Sequence, residues 1–203
     1  MAKPNWINVD PLSGSGNGAL SISAPAHTGR TARVGTITVT GVGVLEPSTC
    51  KVTQSPKAEF ASFSDGPEVS APKDGGTVTI QGKSNSNKLT FSWVGGVSGV
   101  TIPESYQANG TSTANGAEIE GDPGASSEFD FSIQFKFPEN ETIEEISRTL
   151  KVSTGGGQTA QITIKQAAGS AELSLGQTGI TLPQEGTPAV SVNVISNTTW
   201  TVS

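Results

Sequence analysis

Phe129-Asp130-Phe131-Ser132-Ile133-Gln134-Phe135-Lys136-Phe137 is the stretch that decides the fold. Every second residue is large and apolar, and the residues between are polar. A period of two places one row of side chains in a core and the other in water, which is a β-strand buried on one face. The same alternation recurs in Thr36-Ile37-Thr38-Val39-Thr40, Thr77-Val78-Thr79-Ile80-Gln81, Leu150-Lys151-Val152, Gln161-Ile162-Thr163-Ile164-Lys165 and Val190-Ser191-Val192-Asn193-Val194. Clusters of Gly, Pro, Asn and Asp separate these runs at the spacing of a sandwich. The reading is all-β. A helix is expected only over 139–146, where Ile143 and Ile146 would share one or two turns.

Composition agrees. The chain has 203 residues with 25 Gly and 12 Pro, and only 15% are charged. That length allows one large domain or two ordinary ones. The net charge of −6 lacks the basic face that nucleic-acid binding needs, so no nucleic-acid partner is expected. No apolar run approaches the length that spans a bilayer, so no membrane partner is expected. Met1-Ala2-Lys3-Pro4-Asn5-Trp6 carries no apolar leader, which points to synthesis in a cytoplasm. Cys50 is the single cysteine and His27 the single histidine, which excludes an internal disulfide and Cys- or His-pair metal sites.

Repetition is the more informative pattern. Arg33-Val34-Gly35-Thr36-Ile37-Thr38-Val39 leads to Lys51-Val52-Thr53-Gln54, and Arg148-Thr149-Leu150-Lys151-Val152 leads to Ile162-Thr163-Ile164-Lys165-Gln166. Each is an Arg, a strand, a hairpin and a strand ending in Gln. Val9-Asp10-Pro11 and Thr101-Ile102-Pro103 open these two halves. A second element runs Gly75-Gly76-Thr77-Val78-Thr79-Ile80, Ser86-Asn87, then Phe91 and Trp93. It returns as Gly186-Thr187-Pro188-Ala189-Val190-Ser191-Val192, Ser196-Asn197, then Trp200. Residues 58–168 thus hold both halves of a repeat. Residues 1–57 hold a back half, and 169–203 hold a front half. Between Glu104 and Glu128 the complete copy has extra residues, read as a long surface loop over 104–128.

These motifs, in this order, resemble the BACON family, immunoglobulin-like modules of Bacteroidetes proteins and of crAss-like bacteriophages. The resemblance is carried by Trp6 through Gly16, Arg33 through Val39, Gln54, Arg148, Gln166, and Ser196 through Trp200. It implies tandem immunoglobulin-like sandwiches, mostly non-catalytic and attached to something else. Trp6, Arg33, Gln54, Trp93, Arg148, Gln166 and Trp200 are the repeated structural positions.

A front half of this size cannot bury its own apolar face. Residues 169–203 and 1–57 together approach one immunoglobulin-like domain of ~100 residues. The first could close on the second within one chain, or complete it in another copy by strand exchange, or the halves could stand alone. The short connections around 55–59 and 167–172 favour exchange. Val190, Val192, Val194 and Trp200 are then the candidate assembly strand.

No chemistry-bearing constellation is evident. Gly14-Ser15-Gly16-Asn17-Gly18 is followed by Leu20-Ser21-Ile22, a strand rather than the helix of a phosphate loop. His27 has no acid or nucleophile beside it in sequence and reads as an exposed loop residue. Cys50 reads as a buried or unreactive thiol. Glu139, Glu141, Glu144 and Glu145 form a solvated acidic face without the Asp-x-Asp spacing of a calcium loop. Arg33 and Arg148 are read as a salt bridge or carbonyl contact at a strand start. The three tryptophans read as packing residues, with a carbohydrate-stacking platform as the alternative.

The expectation is a non-enzymatic structural protein with no cofactor and no metal. With the resemblance, this points to a bacteriophage virion, as an auxiliary capsid or head-decoration protein on the capsid surface. Its partners would be capsid or other virion proteins and further copies of itself. The alternative is a carbohydrate-binding adhesion module for host or mucus glycans.

Overall fold

The computed structural model describes residues 3–96, 99–122, 124–186 and 188–203. Among them the regular elements are all strands. The first are β1 (Asn8–Asp10), β2 (Ser21–Ser23), β3 (Arg33–Val39) and β4 (Ser48–Gln54). There follow β5 (Ala61–Phe63), β6 (Glu68–Ala71), β7 (Gly76–Ser84), β8 (Leu89–Trp93), β9 (Ser105–Ala108) and β10 (Thr111–Ala114). The last are β11 (Phe129–Phe137), β12 (Ile146–Thr154), β13 (Thr159–Gln166), β14 (Leu173–Leu175) and β15 (Val194–Ser196).

Strands β5 to β13 form an immunoglobulin-like sandwich. One sheet runs β10-β9-β11-β7-β5 and the other β6-β13-β12-β8. β11, the strand with the strictest alternation, lies between β9 and β7. It pairs antiparallel with β7 from Phe129 opposite Ser84 to Phe137 opposite Gly76. Its five apolar residues are buried against Leu89, Phe91, Leu150, Val152, Ile162 and Ile164 from the facing sheet. Phe91 meets Phe131 edge-on at 5.6 Å, and Trp93 lies 5.1 Å from Phe135. Burying this set supplies the main stabilisation, about 1.5–3 kcal/mol for each large side chain. β6 closes the second sheet by pairing parallel with β13, Glu68 opposite Thr163 through Ala71 opposite Gln166.

Two expectations are corrected here. The 104–128 segment is not a projecting surface loop. It contains the β9–β10 hairpin, which adds to the larger sheet through Ala108 opposite Phe131. Its turn is Asn109-Gly110, both with positive φ (51° and 78°), the dipeptide that two-residue hairpins favour. Tyr106, Ala108, Ile119 and Ala125 from this segment are buried. The helix expected over 139–146 is also absent. Buried Asn140 donates to the carbonyls of Glu144 (2.8 Å) and Ala167 (2.9 Å) and accepts from Thr142 N and Oγ1. An Asn that satisfies the backbone in this way holds a turn in place of a helix.

The flanks form separate two-stranded sheets, β1-β2, β3-β4 and β14-β15. Residues 3–57 meet the sandwich near the Ser84 end of β7. There Arg30 bonds Asp122 at 2.6 Å and approaches Glu59 at 3.9 Å, and within the flank Lys57 N, at the start of the connection, donates to Gly29 O at 3.0 Å. Residues 169–203 meet the opposite end, beside the Gly76 end of β7. There Gly169 N donates to Thr142 O at 2.7 Å and Asn197 Nδ2 to Glu141 O at 3.0 Å.

Candidate functional site

The central sandwich shows what the repeated Gln does. Gln166, fully buried at the end of β13, donates from Nε2 to Pro138 O at 2.7 Å and Pro72 O at 3.1 Å. Its Oε1 accepts from Arg148 Nη1 at 3.2 Å. Pro72 belongs to the front half and Pro138 to the back half, so one amide ties the two together. Arg148 is itself buried, with its guanidinium 5.5 Å above the Phe137 ring. Burial pushes its pKa below the ordinary arginine value.

Residues 3–57 rebuild the back-half part of this arrangement. Arg33 donates from Nε (2.9 Å) and Nη2 (2.8 Å) to Gln54 Oε1, and Gln54 Nε2 donates to Pro25 O at 2.8 Å. Pro25 thus stands where Pro138 stands in the central module. The Arg33 guanidinium lies 4.5 Å above Trp6, as Arg148 lies above Phe137. His27 takes the place of Asn140: its Nε2 bonds Thr31 O at 2.7 Å, and its Nδ1 faces Gly29 N at 3.4 Å. It is half-buried and structural rather than an exposed loop residue. Arg33 also reaches Pro25 O (3.2 Å), the carbonyl contact expected of it, but among the described residues neither arginine makes a salt bridge.

Residues 169–203 rebuild the front half. Leu173, Ser174 and Leu175 pair with Ser196, Ile195 and Val194 as Ala61, Ser62 and Phe63 pair with Ser84, Lys83 and Gly82. Ser196 Oγ donates to Glu172 O at 2.9 Å, and Asn197 Oδ1 accepts from Glu172 N at 2.9 Å. Ser84 and Asn85 bond Phe60 O and N in the same way, at 2.6 and 2.8 Å. Gly186 N donates to Pro183 O, the turn that Gly75 N and Pro72 O form in the central module.

The two front halves differ in burial. Ala71 and Val78 are 3% and 7% exposed, whereas their counterparts Leu182 and Val190 are 58% and 50% exposed. Leu175, Ile180, Val192, Val194, Trp200 and Val202 line an open trough of about 420 Å³. Val192 and Val194 are half-buried, and only Val194 lies in a strand. On the other flank, Leu20 and Ile22 are exposed where their counterparts Ile133 and Phe135 are buried.

The three tryptophans do not form one platform. Trp6 lies under Arg33, and Trp93 is half-buried with Nε1 donating to Val100 O at 2.8 Å. Trp200 is 49% exposed in the trough and lies much closer to Ser196 than Trp93 does to Ser84, so the two are not equivalent. Cys50 is exposed on β4, so of the two readings, buried or unreactive, the buried one does not hold. Gly14 through Gly18 are exposed between β1 and β2. Among the described residues no group of three or more His, Cys, Asp or Glu is placed to hold a metal. No helix among them is long and apolar enough to cross a membrane. The Gln–proline bonds and the role of His27 are the features that sequence reasoning missed.

Residues 1–55, the half that carries Arg33, Gln54 and Pro25, match the BACON family model, described as "Putative binding domain, N-terminal". The match covers about a quarter of the chain. The chain is also similar to several solved structures. A Bacteroides ovatus GH5 xyloglucanase in complex with a XXXG heptasaccharide aligns at 14% identity over 58% of this chain and 20% of that one, TM-score 0.30. This chain therefore corresponds to a fifth of that enzyme's length. A Bacteroides thetaiotaomicron protein solved by NMR aligns at 18% identity over 54% of this chain and 87% of that one, TM-score 0.28. The protocadherin GammaB4 extracellular domain aligns at 15% identity over 97% of this chain and 32% of that one, TM-score 0.39. No curated protein matches the chain.

Proposed function

We propose that this BACON-type chain is a non-enzymatic structural protein that latches to its neighbours through its half-modules. The setting we assign is a bacteriophage virion, where it would serve as an auxiliary capsid or head-decoration protein. The observation that carries the latching role is the pairing of a closed central sandwich with two flanking half-sandwiches. The flanks' Leu20, Ile22, Leu182 and Val190 are exposed where the central module buries its own counterparts. Apolar side chains left exposed on a half-module whose counterpart is closed mark an interaction site on each flank. The virion setting rests on the BACON resemblance alone. Its partners are then capsid proteins or further copies of the chain, with synthesis in the host cytoplasm and display on the particle.

Immunogold labelling with antibody against folded 58–168 tests the setting, applied to cultures that make the protein. Labelled capsids support it. Label confined to the cell envelope, or to secreted polysaccharide-degrading fractions, overturns it.

One observation favours a second reading. Trp200 is exposed beside an apolar trough, and an exposed indole can stack on a sugar face. Retention of the chain on immobilised mucin or plant polysaccharide, lost in a folded Trp200→Ala variant, would establish glycan adhesion in place of latching.

A further inference from the structure

We infer that residues 169–203 of one copy complete the sandwich begun by residues 3–57 of a second copy, in the register that the central module displays. The inference rests on the latching role proposed above and does not require the virion setting.

Within one chain the two halves are held apart. Each attaches to an opposite end of β7, a nine-residue strand that spans roughly 27 Å. The junctions are alike: Lys57 N bonds Gly29 O at one, and Gly169 N bonds Thr142 O at the other. A second copy therefore meets the open half of the first as the next module in line.

The occupant is identified by complementarity. In the central module Gln166 uses both amide hydrogens, on Pro138 O and Pro72 O. Gln54 bonds Pro25 O, the counterpart of the first. Pro183, in the same turn as Pro72, is the counterpart of the second. An amide NH2 has two hydrogens to donate, so Gln54 has a place for Pro183 O. The β6–β13 register then sets Val52 beside Ile180, Thr53 beside Thr181 and Gln54 beside Leu182. The β7–β11 register sets Ile22 opposite Val190, Leu20 opposite Val192 and Gly18 opposite Val194.

The last pair is informative. In the central module Gly82 lies opposite Phe131, whose ring occupies the space that a Cβ on Gly82 would need. In the completed module the small residue, Gly18, is on the back half and the larger one, Val194, on the front half. One position is small in both modules, on opposite strands. Each half is matched to the other more closely than to its central counterpart.

The test uses the full 203-residue chain with Cys50→Ser, which removes the exposed native thiol. Thr53→Cys and Thr181→Cys are made singly in that background. Both positions are exposed, and in the proposed parallel pair they would lie on its outer face. Mixed and oxidised, the two single variants are expected to give one cross-linked dimer. The double variant is expected to give a ladder of multimers. Adding Val192→Asp to both single variants should abolish the dimer while the near-ultraviolet dichroism of the central module is retained. The inference is overturned if the folded single variants give no mixed dimer, or if the double variant gives only a cross-linked monomer. It is overturned equally if Val192→Asp leaves cross-linking unchanged. None of these results bears on where immunogold label is found, so failure here and failure of the virion assignment are distinguishable.

Discussion

Replacing Gln166 with Leu keeps nearly the same volume and removes every hydrogen bond that the side chain makes. Two groups lose the partner they have here, the carbonyl of Pro138 and Arg148 Nη1, while the carbonyl of Pro72 keeps Gly75 N at 3.1 Å. All meet at a fully buried position. A buried polar group left unpaired costs about 1–3 kcal/mol, so with partial relaxation the module loses about 2–4 kcal/mol. At ~4 °C per kcal/mol for a module of this size, its melting temperature falls by about 8–16 °C. Gln54→Leu is the internal control. Gln54 makes the same kind of bonds but is half exposed, so water can replace what is lost. At low protein concentration its effect should stay under about 1 kcal/mol. It should grow with concentration, because assembly that favours the folded half is then weakened. Thermal melts by near-ultraviolet circular dichroism at two concentrations give both numbers. If Gln166→Leu melts within about 3 °C of the parent, or if the two variants fall equally at low concentration, the tie between half-modules is not the stabilising element described above.

Gly82→Ala should destabilise the central module by about 2–3 kcal/mol, because its Cβ would fall on the Phe131 ring and the Ser62 carbonyl. Gly18→Ala, with nothing within 4 Å of a Cβ, should leave the single chain unchanged, and urea midpoints compare the two. Tyr106 is the single tyrosine, and loss of hydration on burial raises its pKa. The folded state therefore holds this proton more tightly than the unfolded chain. The stabilisation is complete below the unfolded value of about 10 and is lost as pH rises towards the folded one. Phenolate absorbance should appear above pH ~10, together with loss of the near-ultraviolet dichroism. Ionisation at the ordinary value with the fold intact would contradict the burial.

The strands were legible because alternation reports burial on one face, and β7, β11, β12 and β13 fall on the runs that show it. Two features were misread for identifiable reasons. The 104–128 segment is rich in Gly, Ser, Asn and Ala, which resembles loop composition, yet Asn109-Gly110 flanked by Tyr106 and Thr113 is a hairpin signal. The spacing of Ile143 and Ile146 suggested a helix, while Asn140 had already committed the backbone to a turn. The repeat positions Arg33, Gln54, Arg148 and Gln166 were visible as a pattern, but their role was not. A Gln at a strand end acquires meaning only when the fold brings two proline carbonyls from distant segments to its amide. His27 was read as a loop residue because nothing local reveals that it stands in for Asn140.

The two junctions share one backbone bond, Lys57 on Gly29 and Gly169 on Thr142. A rigid step applied again and again, with the same shift and the same rotation, traces a helix whose pitch is a property of the step alone. A row of such chains would therefore wind at a constant rate. Its ends would always offer one open front half and one open back half, so such a filament would have a direction.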